Sequence, residues 1–227
     1  MSAYMGYFVI AGILSLVGMF VSNRLKSKFK KYSQLGLRSG MSGRDVAEAM
    51  LRHFNISDVT IAQGQGMLSD HYNPLTKTVN LSPNVYEGRS LMAAAIAAHE
   101  CGHAVQHATA YAWLQMRSTL VPVVSFAARA QQWLLIIALM LASTMPSLLL
   151  LTIAAFAITT VFAFITLPVE FDASRRALAW LDESGLARGA EYNGAKDALW
   201  WAAMTYVSAA LSALVILLYL ILRYAGR

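Results

Sequence analysis

The sequence predicts a mainly α-helical integral membrane protein with about four transmembrane helices and a small cytoplasmic α+β domain. Three observations predict it. Of 227 residues, 57% are hydrophobic and only 13% charged, with a mean hydropathy of +0.50. A soluble domain carries about 25% charged residues, so a disordered chain, a coiled coil and a freely soluble globule are excluded. Next, four long apolar stretches recur along the chain, each able to cross a bilayer. Last, the charge is unevenly spread. The net charge is +6, and residues 22–118 hold eleven Lys and Arg. The tight turn at 143–147 holds none, which places the large polar segments inside by the positive-inside rule.

Each element follows in chain order. Residues 4–21 form an uncharged run, and the basic cluster RLKSKFKK comes after it at 24–31. A secretory signal would place basic residues first, so the run is expected to stay as an anchor, residues 1–22, with its N-terminus outside. Residues 23–118 have globular texture. Ser42 is positioned to cap a helix over 43–54, with Asp45 three residues on. Short extended runs follow at 58–62, 67–72 and 76–82, separated by Gly64, Gly66 and the Asn73–Pro74 turn. The last of them, TKTVNLS, reads either as an exposed strand that could pair with an extended peptide or as an internal strand of a small sheet. Ser90 can cap an Ala-rich helix reaching about Ala108. Residues 119–168 read as a hairpin of two spans (120–142 and 147–167) joined by STMPS. Arg129, Gln131 and Gln132 weaken the first of them. A second inside segment, 169–199, carries Arg175, Arg176, Arg188 and Lys196, and residues 200–227 hold the last span. Trp200 and Trp201 stand at its start, suited either to an interfacial belt or to a core. The C-terminus is then also outside, in a multi-pass membrane protein whose large partner is the lipid bilayer.

The chemistry is concentrated in AAHECGHAVQH. His99 and His103 are four apart, so on a helix both imidazoles leave one face, one turn apart, able to hold a single ion. Glu100 lies beside them, in reach of a water on that ion. This HExxH arrangement points to a zinc hydrolase with Glu100 as general base. A catalytic zinc takes three protein ligands and leaves one position open. Position 109, where a third histidine would suit the metzincin spacing, is a threonine. His107 stands two helical turns from His99, about 12 Å away, too far to share its ion. The better third ligand is Glu170 in LPVEFDASRRA, because the two-span hairpin returns the chain to the side it left. One Zn2+ per chain is expected on His99, His103 and Glu170. For a tetrahedral oxyanion, His71 is the first candidate donor, with Tyr72 and Tyr111 behind it. Arg175 and Arg176 are candidates for substrate or lipid headgroups. Cys101 falls about 200° around the helix from His99 and is expected to be a small core residue. As the sole cysteine, it also excludes an internal disulfide and a four-cysteine zinc site.

The run LSDHYNPLTKTVNLSPNVYEGRS…AAHECGHAVQHATAY, followed by LPVEFDASRRAL, resembles the YugP-type neutral zinc metallopeptidases of bacterial membranes. The resemblance covers most of residues 30–185 and the span pattern. It implies a zinc endopeptidase bound to the plasma (inner) membrane, with His99, His103 and Glu170 as ligands and Glu100 as base. Its substrate would be a peptide or protein, with membrane proteins among the candidates. The site is also similar to that of HtpX-type membrane gluzincins, whose third-ligand motif is ExxxD. Here the position four after Glu170 is Ser174, and an acid stands instead at Asp172, a candidate partner for a liganding histidine.

Two alternatives compete. An intramembrane-cleaving protease would bury the HExxH helix in the bilayer. That would invert the later spans against the charge bias, and the expected LDG element is absent, the nearest string being LDE at 181–183. A non-catalytic metal-binding scaffold would not need Glu100. Nucleic-acid binding would rest only on the 24–31 cluster, which the membrane reading already explains.

Overall fold

The computed structural model describes residues 3–66, 69–141 and 145–226. The elements run α1 (Ala3–Ser33), α2 (Gly43–His53), β1 (Thr60–Gln63), β2 (His71–Asn73), β3 (Thr78–Leu81), α3 (Pro83–Tyr86), α4 (Leu91–Ala108), α5 (Ala112–Met140), α6 (Pro146–Glu183) and α7 (Ala190–Ala225). The chain is mainly helical with one small sheet, as expected. Among the described residues, four helices are long and apolar enough to cross a membrane: α1, α5, α6 and α7. The least apolar is α5, where Arg129 and two glutamines interrupt the run.

These helices outrun the predicted spans. The 24–31 cluster continues α1 because Leu, Lys and Arg are good helix formers with no breaker among them. Lys30 and Lys31 fall in its last turn, where cations complement the helix dipole. Helix α6 continues through Pro168 even though proline removes one backbone donor there. Helix α7 starts at Ala190, ten residues before the apolar run, so the segment between the last two spans is two helix extensions joined by a short turn. Ser143 and Thr144 of the predicted turn lie outside the described residues.

The chain divides into two compact units. One comprises Met1–Ser22, Met116–Leu167 and Met204–Arg227; the other comprises Asn23–Gln115 and Pro168–Ala203. The first has a small core of Ala138, Leu149, Phe156 and Leu220. Thr159 donates to Gln131 Oε1 at 2.8 Å, and Thr152 to the Leu148 carbonyl at 2.7 Å, the one bond running between helices and the other within a helix. Phe8, Phe126, Trp133 and Leu222 instead point outward, more than 60% exposed. Large apolar side chains facing out is the pattern of helices meant for lipid.

The second unit carries α2, α3, α4, the sheet and the polar ends of α1, α6 and α7. Ser42 caps α2 with a reciprocal bond to Asp45, as the spacing predicts. The sheet order is β1–β3–β2, with β1 parallel and β2 antiparallel to β3. Strand β3 is therefore central, with Thr78 paired to both Thr60 and Asn73. The exposed-strand reading of TKTVNLS is thereby corrected: its ladder is filled on both sides. The run predicted at 67–72 contributes only its end. Met67 and Leu68 lie outside the described residues, and the Asp70 carboxylate is turned to accept from the Ser82 N–H at 2.7 Å. Helix α4 is buried along most of its length, mainly by alanines. Small side chains let neighbouring backbones come close, so this helix sits at the centre of the unit's core with Val46, Met50, Val79, Trp180 and Leu181 around it.

Candidate metal centre

Helix α4 starts at Ser90, whose hydroxyl accepts from the Ala93 N–H. Two turns later it presents His99 and His103 on one face, their rings 4.8 Å apart and nearly perpendicular. Helix α6 brings Glu170 against them. Its Oε2 lies 3.3 Å from His99 Nε2 and 3.7 Å from His103 Nε2. One ligand atom from each residue falls within 4.8 Å of the others. The Glu170 side chain is 3% exposed and both histidines are largely buried.

The approach of the two helices depends on Gly102. A Cβ built there would stand 2.6 Å from the Ala173 carbonyl oxygen of α6, closer than any side chain tolerates. The glycine inside HECGH is thus the contact that lets Glu170 reach the histidines.

Both imidazoles are oriented from behind. Gln106, one turn beyond His103 and fully buried, donates through Nε2 to the Val169 carbonyl at 2.8 Å and to Asp172 Oδ2 at 2.9 Å. Its amide is oriented by those two acceptors, so Oε1 faces His103 Nδ1 at 3.0 Å. That assigns the proton to Nδ1 and turns the Nε2 lone pair toward Glu170. Ser174 Oγ, one turn beyond Glu170, meets His99 Nδ1 at 3.1 Å and supports the same tautomer. Burial opposes charge on His103, but the adjoining Glu170 carboxylate outweighs it and holds the imidazole above its ordinary pKa. The pocket therefore favours a positive charge. Two neutral imidazole nitrogens and a buried carboxylate, each backed by a hydrogen bond, form a donor set that fits zinc.

Glu100 is 8% exposed, and its Oε2 accepts from the backbone N–H of Tyr72 at 3.0 Å. Edge strand β2 thus holds the carboxylate beside the cluster. The Tyr72 hydroxyl meets His107 Nδ1 at 2.7 Å. Burial, with the Asp58 charge adding to it, pushes the phenol up to about 12, so it stays protonated. His107 accordingly serves Tyr72, outside the ligand cluster.

The remaining candidates fall elsewhere. His71 points to the opposite face of β2 from Tyr72. It is exposed, donating from Nδ1 to the Ser69 carbonyl at 2.7 Å and receiving Asn80 Nδ2 at Nε2. With both ring nitrogens engaged there, it is not brought to the Glu100 side. Asp172 does not touch a histidine; it acts one step removed through Gln106, and also pairs with Arg175 and Arg176. Tyr111 lies under the Arg176 guanidinium, 5.7 Å from the ring centre. Cys101 is fully buried, and burial pushes its thiol well above the usual value. The two residues that orient the histidines, Gln106 and Ser174, had been visible as helical neighbours of His103 and Glu170. Only the packing of α4 on α6 shows what they touch.

Helix α4 packs against α2, α3 and the sheet and is not among the four described helices long and apolar enough to cross a membrane.

The sequence profile of one protein family, described as "Putative neutral zinc metallopeptidase", matches residues 7–225. The chain is also 39% identical over 212 residues to "Putative membrane protease YugP" of Bacillus subtilis (strain 168), an alignment covering 93% of either chain. No solved structure matches. With nearly its whole length inside that profile and that alignment, the chain belongs to the family described as "Putative neutral zinc metallopeptidase".

Proposed function

We propose that this protein is a membrane-bound, zinc-dependent endopeptidase that cuts peptide bonds at the cytoplasmic membrane surface. The carrying observation is the convergence of His99, His103 and Glu170, drawn from α4 and α6, beside a Glu100 carboxylate held by the Tyr72 N–H. His99, His103 and Glu170 would hold one zinc ion. Bound there, zinc supplies a Lewis acid for the scissile carbonyl and lowers the pKa of a water to about 7.

The protein's own groups do the rest. One Glu100 oxygen is fixed by Tyr72, which aims the other at the attacking water, and it takes that water's proton. The same carboxylate then returns the proton to the leaving amine. Gln106 and Ser174 back the Nδ1 atoms of the two imidazoles, which leaves each Nε2 lone pair facing Glu170 and the metal position. The cytoplasmic placement, with both termini outside, is supported by the eleven Lys and Arg of residues 22–118.

The test is zinc per chain in detergent-purified wild type and Glu170→Ala, followed by peptide cleavage with Glu100→Gln. Expected are one zinc per wild-type chain, sharp loss in Glu170→Ala, and a Glu100→Gln protein that keeps zinc but does not cleave. Zinc held equally by wild type and Glu170→Ala would overturn the ligand set. Zinc binding without cleavage in the wild type would favour the scaffold reading.

A further inference from the structure

The polar-end segments of α6 and α7 enclose a groove of about 340 Å3. Each of these helices also holds an apolar run able to cross a membrane. The lining follows the same order on both. On α6, which leaves its span here, Phe171 comes before Arg175; on α7, which runs toward its span, Lys196 comes before Trp200. Each helix thus sets an aromatic ring on the span side and a cation one turn further out, about 6 Å along the axis. Positions four apart share a helix face, so both pairs line one groove. The two rings lie 6.4 Å apart, and Ala203, the last residue of this unit, extends the lining on the span side.

The rim is cationic. Lys196 is exposed, and its neighbour Asp197 is engaged elsewhere, with Lys28 Nζ at 2.7 Å and the Tyr32 hydroxyl at 2.6 Å. Arg175 gives Nη2 to Asp172, which leaves the other donors of a five-donor guanidinium for a phosphate. Its side chain is 78% exposed. No acidic side chain lines the groove among the described residues.

We propose that this groove binds one anionic phospholipid, with the phosphate between Arg175 and Lys196 and the start of one acyl chain against Phe171 and Trp200. Charge complementarity and the order of the lining carry the assignment. Basic pockets between membrane helices take anionic headgroups, and aromatic rings belong at the level where headgroup meets chain. An acidic peptide would match the two cations but not the apolar end on the span side. The volume falls within the range of small-molecule sites, about 300–1,000 Å3. The inference needs only the membrane placement of α6 and α7 and stands apart from the peptidase reading.

The test uses full-length protein in mild detergent, stripped of lipid and titrated with phosphatidylglycerol or with phosphatidylcholine of the same chains. Bound lipid is counted by native mass spectrometry. Expected is one phosphatidylglycerol per chain at concentrations where phosphatidylcholine stays unbound. Lys196→Ala should weaken it about fivefold, the contribution of one basic residue at a headgroup, and Lys196→Glu at least tenfold. Trp200→Ala should weaken it with both charges intact. Lys196 and Trp200 are exposed, so these changes leave the core in place, and thermal unfolding checks that they do. Lys30→Glu, in the exposed basic end of α1, controls for general attraction and should leave the count unchanged. A phosphatidylglycerol with a photoreactive group in its acyl chain should crosslink to residues within 171–179 or 196–203. Phosphatidylcholine bound as tightly as phosphatidylglycerol would overturn the site. So would a Lys30→Glu effect as large as that of Lys196→Glu, binding unchanged by Lys196→Glu and Trp200→Ala, or crosslinks confined to other segments. An acidic peptide that binds with the same dependence on Lys196, where phosphatidylglycerol does not, would assign the groove to a protein partner and also overturn it. Failure of the zinc and cleavage tests would leave this result untouched, and failure here would leave the peptidase reading standing.

Discussion

Replacing Gly102 by alanine separates two physical effects with opposite signs. Within a helix, alanine is more favourable than glycine by about 1 kcal/mol, so propensity alone predicts a more stable protein. The contact with α6 predicts the reverse. The new Cβ would stand 2.6 Å from the Ala173 oxygen, where ordinary contact begins at 3.4 Å, so the helices must part by roughly 0.8 Å. That oxygen is backbone, inside a helix, and has no rotamer to yield. Overpacking of this kind costs about 1–3 kcal/mol, enough to outweigh the propensity gain. The larger effect falls on the metal centre. Glu170 lies one turn before Ser174 on the displaced segment, and metal–ligand distances tolerate only about ±0.2 Å. A shift several times that tolerance should lower zinc affinity at least tenfold, with all three ligands and Glu100 intact. Chelator competition measures the affinity, and thermal unfolding of the metal-free protein measures the stability. A Gly102→Ala protein with wild-type zinc affinity and an unchanged or raised Tm would refute the packing of α4 on α6.

Other expectations follow from single contacts. Gln106→Leu keeps the volume but removes the bonds to His103, Val169 and Asp172. Zinc affinity should fall about 10- to 100-fold, and equal affinity in the variant would sink the orienting role. Ser174→Ala should weaken zinc binding less, because one hydroxyl is lost and His99 keeps its packing; the same competition assay decides. Cys101 should resist thiol reagents until the protein is unfolded, given a buried thiol with a raised pKa; a labelling time course with and without denaturant checks this. Ser42→Ala should cost about 1 kcal/mol of stability by removing the cap. The Ser42 hydroxyl and N–H hold the Asp45 carboxyl below its ordinary value, so this contribution is complete above about pH 4 and lost as the pH falls through the lower folded-state value. The gap between the wild-type and Ser42→Ala melting temperatures should therefore narrow in acid, leaving the part due to the Asp45 N–H bond to the hydroxyl, and a gap independent of pH would contradict the hydroxyl–carboxylate bond.

What could be read from the residues alone, and what could not, divides along one physical line. Periodicity reports which side chains share a face of one helix. It therefore shows His99 with His103, the turn of Cys101 away from their face and into the core, the Ser42 and Ser90 caps and the four apolar helices. Glu170 was reachable by a second kind of reasoning, because a hairpin of two spans returns the chain to the side it left. Contacts between elements leave no such trace. Gln106 reads as an ordinary polar residue near the end of a helix, and its three bonds become visible only when Val169 and Asp172, 63 and 66 residues away, are brought to it. His71 and Tyr72 show the same limit on a strand. Alternation says that they face opposite ways, but which of the two meets α4 depends on the register of β2 against β3, where Tyr72 opposes the buried Val79 and His71 opposes Asn80. A shift of one residue would exchange them. The assignment of Tyr72 to the metal side therefore rests on burial of Val79, and that ties the orientation of Glu100 to the packing of the unit's core: a change that unseats Val79 should disturb the base before it disturbs the ligands.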